Sequence, residues 1–186
     1  MPVKNIVDDA AEHMHKAVEH VQQLLSKART GRASASLLDA IRVEYYGEPT
    51  PLAQVGSVSV PDARSIVIQP WDRTALSSIE KAILAANLGI TQQNDGQIIL
   101  ISVTHLTEER RKDIVKQCKK MAEEGKLAVR NIRRDANEEL KVAEKKEHYS
   151  EDDRKRGEED IQKNTDKYIK EIDTVLSAKE KEIMED

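Results

Sequence analysis

Charge is sorted along this 186-residue chain, and that sorting constrains the fold more than any single motif does. Residues 32–104 carry 12 charged side chains in 73 positions, whereas residues 106–186 carry 44 in 81. The first 31 residues carry four basic and four acidic groups. Every proline except Pro2 lies in the charge-poor middle, together with most of the glycines. A break of this size marks a domain boundary. The middle can build a compact core, and the highly charged, aromatic-poor C-terminal part is the material of long solvated helices.

The two ends read as helices. Ala10, Met14, Ala17, Val21, Leu24 and Ala28 recur at alternating spacings of four and three, the stripe of a helix that packs on other helices. Asp8, Asp9 and Glu12 suit its start, and Gly31 supplies a stop. Thr107 followed by Glu108 and Glu109 has the form of a second cap. From there Ile114, Cys118, Met121, Ala122, Val129, Ile132, Ala136 and Leu140 share one sector of a helix over 107–146, about 60 Å long. Ser150 opens a last helix with Ile161, Tyr168, Ile172, Val175, Leu176 and Ile183 as its stripe. None of the three can bury its apolar face alone. The reading is α+β: a three-helix bundle from residues 1–30 and 106–186, with a small mixed domain, 31–105, inserted on two adjacent connections.

Within the insertion, Ile41–Tyr46 alternates as a strand and ends at Gly47 and a Pro49/Pro51 turn. Ser57–Val60 and Ser65–Ile68 are short strands broken by Pro61-Asp62, and Ile98–Val103 is a buried strand. Thr74–Leu88 reads as a helix with Leu76, Ile79 and Ile83 on one face.

Several classes of chemistry find no support. There is no phosphate-binding glycine loop, the five histidines do not assemble into a ligand set, and the single cysteine excludes an intramolecular disulfide framework. Cys118 sits in an apolar stripe, where a buried thiol is inert. Trp71 reads as core or as a surface anchor. No apolar run reaches the roughly 20 residues of a membrane span, and the start has no signal-peptide form. A cytoplasmic protein without cofactor or metal, and not an enzyme, is the expectation.

The C-terminal part is sorted again. Residues 110–134 carry a net +7, and residues 135–186 a net −7. On a helix, Lys112, Lys116, Lys119, Lys126, Arg130, Arg133 and Arg134 fall in one stripe away from the apolar sector, interrupted by Glu123, with Leu127 the odd apolar residue. A one-signed exposed stripe along a rod matches a phosphate backbone, and arginine suits phosphate because its fork binds two oxygens. No aromatic pair for base stacking is visible, so backbone and shape recognition of folded RNA fits better. The bland alternative is a solvated helix face. The connections Ala28–Arg32 and Val103–Leu106 form a two-stranded joint that suits a mobile small domain, against the alternative of a fixed one.

Four segments carry a family resemblance: Lys27–Ala33 (KARTGRA), Glu44–Gly47 with Thr50–Leu52, Leu106–Lys112 (LTEERRK) and Val129–Ala136 (VRNIRRDA). In this order and spacing, nearly end to end, they resemble ribosome recycling factors. The resemblance implies a factor that enters the post-termination ribosome, lies on large-subunit rRNA, and acts as a monomer with elongation factor G and GTP to separate the subunits and release mRNA and tRNA. It implies RNA contacts at Arg29, Arg110, Arg111, Arg130, Arg133 and Arg134, with Arg133 foremost, and a hinge at Thr30, Gly31, Thr104 and His105. Where the family commonly has prolines before LTEERR, this chain has Thr104 and His105, which removes a source of stiffness from that strand of the joint. The competing function is a helical scaffold or chaperone-like module that uses the rod without RNA.

Overall fold

The computed structural model describes residues 2–28, 30–147 and 149–185. The chain divides into two compact units, Met1–Arg29 with Glu108–Glu185, and Thr30–Thr107.

The first unit is three packed helices, α1 (Pro2–Ser26), α4 (Glu108–Glu147) and α5 (Glu151–Met184). Their shared core holds Met14, Val18, Val21 and Leu25 from α1, Cys118, Ala122, Val129 and Leu140 from α4, and Ile161, Tyr168, Ile172 and Ile183 from α5. The buried seam of α1 therefore uses Val18 and Leu25, while Ala17, Leu24 and Ala28 are only half-buried. A helix touching two neighbours needs a face wider than one heptad stripe, so both members of the Ala17-Val18 and Leu24-Leu25 pairs pack. The helix also begins at Pro2, which leaves Asp8 and Asp9 beyond its first turn, and it ends at Ser26, before Gly31.

Ser150 caps α5: its Oγ accepts from the Asp153 amide at 3.1 Å and donates to the Asp153 carboxylate at 2.7 Å. Two glycines set the helix spacing. Gly125 on α4 is buried where Val21 and Ile172 converge, leaving no room for a Cβ. A Cβ at Gly157 would lie 3.0 Å from the end of Leu140. Buried Thr165 satisfies its hydroxyl by donating to the Ile161 carbonyl at 2.8 Å. Cys118 is fully buried, and burial pushes its thiol pKa up, as an inert core residue requires. Among the described residues, no helix is long and apolar enough to cross a membrane.

The second unit has a hairpin of β1 (Arg42–Tyr45) and β2 (Glu48–Pro51), a one-turn helix α2 (Leu52–Val55), and a four-stranded antiparallel sheet. That sheet contains β3 (Gly56–Asp62), β4 (Ser65–Pro70), β5 (Thr91–Asn94) and β6 (Ile99–Ser102), in the order β3-β4-β6-β5. Helix α3 (Leu76–Ala86) adds Leu76, Ile79 and Ile83 to a core with Val43, Ile66, Ile68, Ile99 and Ile101.

Two sequence expectations change here. Pro49 and Pro51 form strand β2 rather than a turn. The two-residue loop Tyr46-Gly47, with φ of 50° and 80°, is a primed-type turn that makes Tyr45↔Glu48 the closing pair. Hydrogen-bonded sites then fall at Glu48 and Thr50, and the prolines occupy the intervening sites, where no N–H is needed. Pro61-Asp62 does not end its strand but is absorbed as an irregularity between Ser59 and Asp62. Thr91–Asn94 forms an edge strand that its all-polar sequence conceals. Trp71 is exposed at 70%, so it is not core.

Tyr46 carries backbone strain at an exposed position. A side chain in the left-handed region costs about 1–2 kcal/mol. The edge-to-face contact with Tyr45, at 4.4 Å between centroids, returns only about 0.5 kcal/mol at a surface site. Tyr46→Asn should therefore stabilise this unit by about 0.5–1 kcal/mol. Denaturant unfolding followed by the fluorescence of Trp71 reads this out, and a loss of stability would show that the ring contact dominates.

Candidate nucleic-acid interface

The basic residues of α4 are fixed by the helix that carries them. Each core residue on one side sets the outward angle of every cation on the other, about 100° per residue. The structure divides them into two sets.

The first set lies along the seam with α5 and is held by it. Lys119 Nζ is 3.7 Å from Glu180. Lys126 is only 13% exposed and pairs with Asp173 and, at 3.0 Å, with Glu123. Hydrogen bonds from Lys126 to Asp173 first, and to Glu123, hold its pKa above the ordinary lysine value. Arg133 is half-buried, and its Nη1 donates to Gln162 Oε1 at 3.3 Å. Helical spacing alone puts Lys126 and Arg133 on the open face. They sit nearer α5 because the buried sector of α4, centred on Cys118, Gly125, Val129 and Ala136, reaches further round than the apolar residues alone indicate.

The second set faces outward. Lys116, Lys120, Arg130 and Arg134 are exposed, and their side chains make no hydrogen bond or ion pair with a described residue. Two i,i+4 pairs of cations result, flanking the 54% exposed Leu127. Lys120 belongs to this face although the sequence stripe omitted it. Its spacing of four from Lys116 was the available signal. Lys112 is partly neutralised by Glu108 at 2.8 Å, which holds that carboxyl below its usual range.

The other sequence candidates disperse. Arg110 is exposed, but 20 residues separate it from Arg130, about 30 Å along the axis and about 200° around it. It therefore faces nearly the opposite way. Arg111 points toward the bundle side and is half-buried. Arg29 lies outside the described residues. Helix α4 thus brings together Arg130, Arg133 and Arg134, and does not bring Arg110 to them. In the second unit, Gly31 has φ of +82° beside Leu106, while Thr104 and His105 lie in the irregular segment after β6.

Comparison with known proteins supplies the class. Residues 21–184 match the family model described as ribosome recycling factor. A ribosome-recycling factor of Nitratidesulfovibrio vulgaris is 56% identical over 185 residues, covering 100% of both chains. That of Syntrophomonas wolfei is 54% identical over 183 residues, covering 98% of this chain and 99% of its own. The solution structure of a ribosome recycling factor superposes with a TM-score of 0.77 at 44% identity, covering 99% of this chain and 98% of that one. A second solved chain, with a TM-score of 0.64 and 45% identity, covers 99% of this chain and 100% of its own. It comes from models of the T. thermophilus ribosome recycling factor and the E. coli elongation factor G bound to the E. coli post-termination complex.

These matches define a translation factor of α+β fold that is not an enzyme. The chain belongs to the ribosome recycling factor family, and its function is ribosome recycling.

Proposed function

We propose that the protein binds the post-termination ribosome through large-subunit rRNA, along the outward cationic face of α4. With elongation factor G and GTP it then promotes subunit separation and the release of mRNA and tRNA. The observation that carries this is the set of exposed cations without an ion-pair or hydrogen-bond partner among the described residues, Lys116, Lys120, Arg130 and Arg134, with Arg133 at its edge. Unpaired cations on a rigid helix approach phosphates without first breaking internal ion pairs. The factor works as a monomer in the cytoplasm, where ribosomes are, and needs no cofactor of its own. Arg110 and Arg111 contribute as outlying contacts on other faces of α4, and Arg29 as a further contact.

Salt tests the interface. Co-sedimentation with ribosomes should weaken with a log–log slope of about −0.9 per duplex phosphate neutralised, so about −4 for four or five contacts. A slope near zero would favour the apolar scaffold reading.

The segments Thr30-Gly31 and Thr104-His105 are the proposed hinge. A Cβ at Gly31 would lie 3.8 Å from Leu106 Cβ, a separation that suits a disulfide. The oxidised Gly31→Cys/Leu106→Cys protein should bind ribosomes yet fail to recycle them until reduced. Full activity of the oxidised form would mean that no bending at this joint is required.

A further inference from the structure

The seam between α4 and α5 repeats every seven residues, and one rung of it is built differently. Lys119, Lys126 and Arg133 are spaced by seven along α4, and Glu180, Asp173 and Asp166 are spaced by seven along antiparallel α5. The first two rungs close as direct ion pairs, Lys119 with Glu180 and Lys126 with Asp173. By the same register Arg133 faces Asp166. Instead, Gln162 stands between them. Its Nε2 donates to Asp166 Oδ1 at 2.9 Å, and its Oε1 accepts from Arg133 Nη1 at 3.3 Å.

We infer that Gln162 is a positioning residue that keeps the charge of Arg133 available for phosphate. The inference rests on the reading of Arg133 as part of the RNA interface. Asp166 fixes the amide, because a carboxylate accepts only and so takes the NH2 end of Gln162. The carbonyl end is thereby turned to Arg133. A neutral oxygen orients the guanidinium through one N–H and leaves its charge and its other donors uncommitted. A carboxylate in the same place would form a charge-assisted pair, as at Lys126, and a phosphate would have to displace it. The amide thus holds the arginine in one conformation and insulates it from the acid that its register supplies.

The test is a set of dissociation constants for bacterial ribosomes at low salt, measured for the full-length wild type, Gln162→Ala, Gln162→Ala/Asp166→Asn, Arg133→Ala and Arg133→Ala/Gln162→Ala. Without Gln162, Arg133 closes on Asp166, so Gln162→Ala should bind roughly fivefold to tenfold more weakly. Removing the acid as well, in Gln162→Ala/Asp166→Asn, should return affinity to within about twofold of wild type. In the Arg133→Ala background, Gln162→Ala should have no further effect.

Rescue by Asp166→Asn is a readout that a merely structural glutamine would not give. Normal affinity of Gln162→Ala beside a weak Arg133→Ala overturns the positioning role and leaves the RNA reading standing. So does an equal loss from Gln162→Ala with and without Arg133. Normal affinity of Arg133→Ala overturns the RNA reading of that residue, and the inference with it.

Discussion

Alanine at Arg130, Arg133 and Arg134 together is expected to weaken ribosome binding by roughly 100-fold at low salt while leaving the fold intact. Each arginine offers a charge-assisted fork to phosphate, worth more than about 1 kcal/mol even when partly solvated. Three such losses reach the roughly 2.7 kcal/mol that 100-fold represents. The salt slope should fall by about 2 to 3, one step for each lost phosphate contact. Arg130 and Arg134 are exposed and make no hydrogen bond or ion pair with a described residue, and Arg133 gives up only its 3.3 Å bond to Gln162. The melting temperature should therefore move by no more than about 2 °C. Equal salt slopes for the triple variant and the wild type would remove these residues from the interface.

The largest effect on stability is expected at Gly125. Alanine improves helix propensity by about 1 kcal/mol. Its Cβ, however, would enter space already filled by Val21 and Ile172. Valine is stiff at χ1, so α1 must move away from α4. Overpacking of this kind costs about 1–3 kcal/mol or more. The clash should win, with Gly125→Ala losing about 1–2 kcal/mol net and about 2–8 °C in melting temperature. Gly157→Ala is the control. Its nearest obstacles are the ends of Leu140, at 3.0 Å, and Val3, at 3.1 Å, which need to give by only a few tenths of an ångström rather than by a helix displacement. A Gly125→Ala protein as stable as wild type would mean that helix spacing in the bundle is not set by this contact.

Much of this architecture is legible in the chain. The compositional break and the three apolar stripes specify a discontinuous helical unit and a mixed insertion, because long amphipathic helices announce themselves by period. What escapes is what depends on neighbours. Gly125 reads as a break in the pattern of α4, yet it is a buried site with no room for a Cβ between Val21 and Ile172. Pro49 and Pro51 read as a turn because proline's exclusion from strands holds for donor sites only, and the hairpin register that spares them is set by Tyr46-Gly47. Strand β5 has no alternation to detect.

The basic stripe shows the same division. Its presence is readable from spacing. Which of its members stay unpaired depends on Asp173, Glu180 and Gln162, which are dozens of residues away in sequence and opposite only once α5 folds back. Arg110 and Arg130 look alike in a count of arginines, yet a helix turns them nearly opposite ways over 20 residues.

In the proposed function this chain is a non-catalytic partner that enables the ribosome to be split. Light scattering of post-termination ribosomes mixed with the protein, elongation factor G and GTP tests it most directly. Scattering should fall only when all three components are present, and the Arg130/Arg133/Arg134 alanine variant should reproduce that fall only at much higher protein concentration. Undiminished scattering with all three present, while the protein co-sediments with the ribosomes, would contradict it.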